Sequence, residues 1–373
     1  MYKIGFDAKR AFSNFTGLGN YSRTIISSLS GFYSSNKYFL YTPRYKQQPV
    51  HNFTDKPNIE IITPHGFSSI FSRTWRTTGI INDLKRDKID IYHGLSGELP
   101  EGKKVCPMVV TVHDAIFMKF SGFYTYADRF FFEKKHISAC RRADKIIAIS
   151  NQTADDIIKY FNADPKKIEV IYQSCDPVFH RSITDEELYR VRKKYNLPCR
   201  YILSVGRVET RKNLNTLVRT LPQLPPDVKI VSLGGITPYF KEVLTTIKTL
   251  GLSERVQILS GADFADFPAI YKMSAMLVYA SLYEGFGIPV LEALTTGTPV
   301  VTSNISSMPE VGGDAALYVN PENVNDIAEK INMFLSSPTL CEEMTGKGLE
   351  FSKRFREEKV VSEVYDLYNT ILK

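Results

Sequence analysis

The order of segments along this chain predicts an α/β protein of two Rossmann-like domains, each with a doubly wound parallel sheet. Three observations support that reading. Short apolar runs alternate with longer stretches of helical period, the pattern of parallel strands joined by crossover helices. These runs divide into two sets, each large enough for its own sheet. The 373 residues also exceed what one hydrophobic core commonly supports.

Taken in order, the first-half strands are expected at Tyr2–Phe6, Tyr38–Thr42, Ile59–Ile62, Ile89–His93, Met108–Val112, Lys145–Ile149 and Glu169–Tyr172. The second half offers Tyr201–Val205, Lys229–Leu233, Val256–Ser260, Met276–Tyr279, Pro299–Ser303 and Ala316–Val319. A linker is expected after Pro177, where VFHRSITDEE turns polar, which gives domains over 1–177 and 178–356. The last segment, Glu357 to Leu372, repeats Val360, Val361, Val364, Leu367, Tyr368 and Ile371 at helical spacing.

Composition narrows the class of function. No run of about 18 apolar residues suggests a membrane span, and MYKIGFDAKR reads as a first strand, not a signal peptide. Five scattered cysteines without a CxxC pair read as reduced thiols of a cytoplasmic enzyme. The net charge of +7 is uneven: residues 1–180 hold 25 Lys+Arg against 17 Asp+Glu, and the remainder 22 against 23. A basic first half suits anionic lipid or a diphospholipid acceptor, and the modest excess without a binding motif argues against nucleic acid. Ile70–Lys88 mixes Phe71, Trp75, Ile80 and Ile81 with five cations. It suits either an interfacial helix at the inner face of a membrane or an amphipathic cover for the sheet.

Chemistry concentrates in SLYEGFGIPVLEAL. Glu284 and Glu292 flank a Gly-Phe-Gly-Ile-Pro turn, and Pro289 suits the first helical position. The helix start would aim free N–H groups and its positive dipole end at an anion or sugar hydroxyls. Upstream, Tyr201–Val205 breaks at Gly206 and is followed by Arg207, Arg211 and Lys212. Arg207 offers a donor fork and Lys212 a point charge for a diphosphate, whereas Arg211 reads as a solvated loop residue. In the first half, Gly17 and Gly19 would open a helix toward a phosphate, with Asn20 as a possible N-cap. His113 and Asp114 follow a strand end directly. His93 ends another strand, and Asp7, Lys9 and Arg10 follow the first. Among the aromatics from Phe117 to Phe132, Phe130–Phe132 are expected in the core and Phe123–Tyr126 in a loop beside the acceptor.

These motifs resemble a known family. E-x7-E (Glu284…Glu292), Gly206 to Asn213 (GRVETRKN), VVTVHDAIF, ADKIIAISNQTADDI, VIYQSCDPVF, the Gly297–Asn323 segment and GLGNYSRTI are similar in kind and order to family 4 glycosyltransferases. The flavour is that of bacterial mannosyltransferases of surface polysaccharide. The resemblance implies the GT-B architecture, with two domains facing across a cleft and helix 357–373 crossing back onto the first. It implies a nucleotide-diphosphosugar donor lying between the domains (GDP-sugar favoured, UDP-sugar possible), a saccharide or lipid-linked acceptor, and retention of anomeric configuration. It also implies His113 and Glu284 at the transferred sugar, Arg207 and Lys212 at the diphosphate, Glu292 at the ribose, and the amides of Phe286, Gly287 and Ile288 at sugar or phosphate. No D-x-D occurs, so no metal and no further cofactor is expected. Gln173, Ser174 and Cys175 replace the family's common Asn-Gly pair, which bears on any glycine-dependent turn there. A nucleotide base would sit near Gly234–Gly235 and Gly261–Asp263. A phosphorylase or hydrolase using the two glutamates, and a non-catalytic sugar-nucleotide sensor, are the alternatives.

Overall fold

Every expected apolar run becomes a strand. The computed structural model describes residues 1–14, 17–45, 53–65, 74–120, 122 and 124–373. Unit 1 comprises Met1–Ser174 and Phe355–Lys373, and unit 2 comprises Cys175–Arg354, so the division falls a few residues ahead of the polar stretch after Pro177.

In unit 1 the strands are β1 (Lys3–Asp7), β2 (Lys37–Tyr41), β3 (Ile59–Ile62), β4 (Ile91–Gly94), β5 (Met108–Val112), β6 (Lys145–Ala148) and β7 (Ile168–Val170). They form one parallel sheet in the order β3-β2-β1-β4-β5-β6-β7. Unit 2 holds β8 (Tyr201–Val205), β9 (Lys229–Leu233), β10 (Val256–Leu259), β11 (Met276–Tyr279), β12 (Val300–Ser303) and β13 (Ala316–Val319), ordered β10-β9-β8-β11-β12-β13. Helices cover both faces of such a sheet, so its strands read as unbroken apolar runs: β5 and β8 are buried at every residue. Strand order reverses between β1 and β4, and again between β8 and β11. At such switch points loops leave neighbouring strands in opposite directions and open a crevice.

The helix Glu357–Leu372 belongs to unit 1. Val360, Val361, Val364, Leu367 and Tyr368 pack into a core with Ile4, Phe6, Ile25 and Ile26. His93 lies inside that core with no exposure, bonded through Nδ1 to the Tyr368 hydroxyl (2.6 Å) and through Nε2 to Thr111 Oγ1 (2.8 Å). It is a core histidine and does not line a cleft. Burial holds its pKa down at about 3.

Of the two readings left open for residues 70–88, the cover for the sheet is the one observed: Trp75 is buried, and its indole N–H donates to Asp83 Oδ2 at 2.6 Å. Ile80 and Leu84 of the helix Ile80–Asp87 are buried beside it, so this segment covers the sheet; Phe71 and Arg73 lie outside the described residues. The expectation of Phe130–Phe132 in the core is corrected: the helix Tyr126–Arg142 turns Phe130 and Phe131 outward while Ala139 and Cys140 face in, and Phe132, though its ring meets Phe117 and Tyr124, is exposed as well. Tyr126 begins that helix; Phe123 lies outside the described residues. No described helix is long and apolar enough to cross a membrane.

Candidate functional site

The strongest cluster sits at the β8/β11 switch point. These two strands pair in parallel, so their carboxyl-end loops leave the same sheet edge side by side. The β8 loop closes in the turn Thr210–Lys212 and ends at Asn213, whose φ of 60° is one that asparagine tolerates better than most residues. The Asn213 amide group then donates to the carbonyls of Ala280 (3.0 Å) and Pro321 (2.7 Å), while Leu282 N donates to Arg211 O at 2.9 Å. These bonds tie the β8 loop to the β11 loop.

That tie brings Glu284 against Lys212. Glu284 Oε1 receives Lys212 Nζ at 2.6 Å, Arg211 Nη1 at 2.6 Å and the Tyr279 hydroxyl at 2.9 Å. Arg211 is therefore not a solvated loop residue. It also donates to the Tyr283 carbonyl (2.8 Å) and pairs with Glu209 (2.6 Å). Burial opposes ionisation of Glu284, but Lys212 and Arg211 outweigh it and hold the pKa at about 2. Burial lowers the Lys212 pKa against the pull of Glu284. Two carboxylates and two cations thus balance, and Lys212 is not a free charge awaiting an anion. Arg207 differs: it is exposed and bonds none of the described residues.

Beyond Glu284 the chain turns through Gly287, at φ +117°, into the helix Ile288–Thr296, with Pro289 in its first turn. A Cβ at Gly287 would lie 2.4 Å from Met308 Cε, a flexible side-chain end, so the positive φ more than the packing calls for glycine. Ser307 Oγ donates to the carbonyls of Glu284 (3.0 Å) and Phe286 (2.7 Å), and Ser306 Oγ bonds both the amide and the carbonyl of Glu284. In a trans peptide the C=O and the following N–H point oppositely. The Gly285 and Gly287 amides are therefore turned away from the serines. Phe286 is buried, and Ile288 is partly exposed at the helix start.

Glu292 lies on the buried face of that helix and accepts the Tyr271 hydroxyl at 2.5 Å. Burial lifts its pKa to about 7, the Tyr271 bond pulling the other way. The two glutamates therefore stand far apart in acidity, one fixed as a carboxylate and one titrating near neutrality.

In unit 1, His113 follows β5. Its Nε2 donates to the Leu95 carbonyl at 2.9 Å, which leaves Nδ1 as the acceptor, and its ring meets Tyr21 edge-on at 4.7 Å. Burial lowers its pKa to about 4, so it is neutral at pH 7. Asp114 caps its own loop by accepting the Ile116 amide. Gly17 begins the helix Gly17–Phe32; a Cβ on Gly19 would sit 1.8 Å from the Asn14 carbonyl oxygen, so close backbone packing dictates that glycine. Asn20 is inside the helix, not its cap, and accepts from Arg23 Nη2 at 2.5 Å. No positive φ occurs at Gln173, Ser174 or Cys175, so the missing glycine is not needed there.

At the β1/β4 switch point a cavity of about 720 Å³ opens, lined by Asp7, Lys9, Arg44, Arg76, Glu98 and Lys135 among others. Arg76 bridges Asp7 (2.5 Å) and Glu98 (2.6 Å) across it. Arg10, expected beside Asp7 and Lys9, does not line it.

Comparison with known proteins fits this geometry. The family model "Glycosyltransferase Family 4" matches residues 17–179, and "Glycosyl transferases group 1" matches 185–351. O-antigen chain mannosyltransferase B of Escherichia coli is 30% identical over 293 residues, covering 77% of this chain and 76% of that protein. The chain belongs to the family 4 glycosyltransferases. Serotype-specific mannosyltransferase WbdA of Escherichia coli is also 30% identical, over 60% of this glycosyltransferase but only 28% of that longer protein. Among solved structures, Anabaena Alr3699/HepE in complex with UDP-glucose superposes with a TM-score of 0.77 at 16% identity, covering 99% of this chain and 100% of that one. Such a likeness establishes the fold alone: this glycosyltransferase has the GT-B fold, with two parallel-sheet Rossmann-like domains.

Glu209, Tyr279, Tyr271, Ser306 and Ser307 complete the site without having been singled out from sequence, and Arg211 joins them although it reads in sequence as a solvated loop residue. Arg211 had a signal, as it shares a short turn with Lys212. The serines lie inside the Gly297–Asn323 motif and showed only as part of that resemblance.

Proposed function

We propose that this glycosyltransferase moves mannose from a nucleotide-diphosphate donor, GDP-mannose being favoured, to a saccharide or lipid-linked saccharide of a surface polysaccharide, with retention and without a metal. The mannose assignment rests on the mannosyltransferase names of its relatives. The observation that most supports the site is the Glu284–Lys212–Arg211 cluster at the switch point of the second sheet.

In this reading Arg207 supplies the uncompensated charge for the diphosphate, and Lys212 shares its donors between Glu284 and a phosphoryl oxygen. Glu284, kept ionised, accepts sugar hydroxyls through Oε2, and Glu292 takes the ribose hydroxyls. The Gly285 and Gly287 amides and the Ile288 helix start add fixed dipoles where negative charge develops on the leaving group. His113, neutral, offers Nδ1 as an acceptor to a sugar hydroxyl. Bond formation from the acceptor oxygen to the anomeric carbon accompanies loss of the phosphate on the same face, and the acceptor proton passes to that departing phosphate oxygen.

The spread between Glu284 and Glu292 resembles the acid and base of a glycosidase pair. Three donors converge on Glu284 Oε1, however, which suits binding better than nucleophilic attack.

Thermal shift with GDP, UDP, ADP and dTDP tests the donor site, because a ligand of the folded state raises Tm. GDP should stabilise wild type and lose its effect in Arg207→Ala, with proton NMR of the product from GDP-mannose showing the α-anomer in the presence of EDTA. No shift with any nucleotide sinks the proposal.

A further inference from the structure

Among the large apolar side chains exposed on the described surface, four fall within seven consecutive positions: Tyr126 (76% exposed), Phe130 (40%), Phe131 (62%) and Phe132 (37%). All lie on the helix Tyr126–Arg142. Phe132 is anchored inward by ring contacts with Phe117 and Tyr124. The other three stand outward as one patch, Tyr126 stacked on Phe130 at 6.4 Å and Phe130 edge-on to Phe131 at 6.0 Å. Water-facing aromatics packed on each other are an unusual use of surface unless something apolar covers them.

Cations frame this patch. Lys134 Nζ sits 4.2 Å from the Phe130 ring centroid, and the Arg129 guanidinium 5.8 Å from that of Tyr126. Tyr126, Phe130, Lys134 and, two turns on, Arg141 recur along one helical face. Arg129, Lys134 and Arg141 pair with no carboxylate among the described residues, although Lys135 on the neighbouring face binds Glu98 at 3.2 Å. The helix is not a loose arm, because Ala139 and Cys140 fix its other side in the unit 1 core. Its location within the first 180 residues also coincides with the whole basic excess of the chain.

We propose that the Tyr126–Phe130–Phe131 face, with Arg129, Lys134 and Arg141, docks this protein on an anionic phospholipid surface. Aromatic rings would enter the headgroup boundary while the flanking cations meet phosphates, the division of labour of an interfacial helix. A second copy of the chain is disfavoured as occupant, because a two-fold contact would set these unpaired cations against one another. Phe131 and Lys135 also line the 720 Å³ cavity at the β1/β4 switch point. Docking through this face therefore holds that cavity beside the lipid surface, within reach of an acceptor whose polyprenyl or acyl chain stays in the bilayer.

Vesicle co-sedimentation of the full chain tests the proposal without donor or acceptor, so its failure leaves the proposed reaction untouched. Wild type should pellet with vesicles containing about one third phosphatidylglycerol and stay in solution with phosphatidylcholine alone, and added salt should weaken the binding. The double variant Tyr126→Ser, Phe130→Ser and the single variant Lys134→Glu should each bind roughly ten-fold less, with unfolding midpoints like that of wild type. Equal binding to both lipid compositions overturns the proposal, as does undiminished binding of both variants. A wild-type dimer in light scattering that both variants disperse overturns it in favour of self-association.

Discussion

Replacing Glu292 by Gln should make the protein more stable in mild alkali while weakening its hold on nucleotide. Glu292 is 7% exposed, with Tyr271 as its bonded neighbour, and burial lifts its pKa from 4.5 to about 7. A folded-state pKa raised above the unfolded value means that the native state binds more protons between the two. The stabilising contribution is then fully present below about pH 4.5 and lost as pH rises through about 7. The shift of about 2.5 units corresponds to roughly 3 kcal/mol in total, of which roughly 2.5 kcal/mol falls between pH 5 and pH 8. Gln keeps an oxygen for the Tyr271 hydroxyl but has no charge to desolvate. Urea unfolding of both proteins at several pH values, followed by a probe in unit 2, should show their difference in stability growing by that amount from pH 5 to pH 8. Using the difference removes every other titrating group. Parallel curves across this window would refute the reasoning, since Glu292 would then ionise as freely folded as unfolded. The same variant should bind GDP less tightly, because a ribose hydroxyl loses a charged acceptor. Here stability and binding oppose each other at one side chain.

Other consequences are equally direct. Arg211→Met leaves the buried Glu284 with one cation instead of two and should destabilise unit 2 by about 3 kcal/mol in urea unfolding; a loss below about 1 kcal/mol would mean that Lys212 alone satisfies it. Gly287→Ala meets both a φ of +117° and Met308 Cε, and should cost about 2 kcal/mol. Adding Met308→Ala should relieve the steric part but not the backbone part, and strict additivity in the double-mutant cycle would exclude the contact. His93 has its pKa lowered from 6.5 to about 3, so its contribution is complete above about pH 6.5 and is lost as pH falls toward 3. Relative to His93→Gln, wild type should lose about 3 kcal/mol between pH 6.5 and pH 4, read as urea midpoints; no relative loss would place His93 in contact with water.

Much of the architecture was legible because parallel strands buried on both faces leave unbroken apolar runs. β5 and β8 appear at the residues expected, and the family follows from motifs that the comparisons bear out. Strand ends shifted where hydrogen bonding, not composition, decides them, as at β4, which runs Ile91–Gly94 and not from Ile89, whose amide donates to the Leu84 carbonyl of the preceding helix. What escaped was direction. In sequence Arg207 reads as a donor fork for the diphosphate and Arg211 as a solvated loop residue, yet the turn Thr210–Lys212, closed by Asn213 in a left-handed conformation, brings Arg211 inward onto Glu284 and leaves Arg207 outside. Phe130 left its expected core, and Trp75 stayed open between surface and core, for a similar reason. Each lies in an aromatic and basic stretch, and composition does not say which face of a helix the rest of the fold will cover. Ser306 and Ser307 support the Glu284–Phe286 backbone from a loop after β12, a contact set by tertiary packing across some twenty positions of chain.

The helix Glu357–Leu372 has a bearing on how the protein is made. Unit 2 is one continuous stretch, complete in sequence once Arg354 has been added. Unit 1 is begun first yet waits for Tyr368, whose hydroxyl is the partner of His93 Nδ1 and whose ring closes the core over Ile4 and Phe6. At the usual pace of synthesis, roughly 5–20 residues per second, the nascent first sheet stands with that groove open for about ten seconds or more. Through that interval its apolar face is available to chaperones, or to the wrong neighbour on a crowded polysome. A stop codon placed just after Arg354 should therefore release a chain whose later-made half is folded and whose earlier-made half is not.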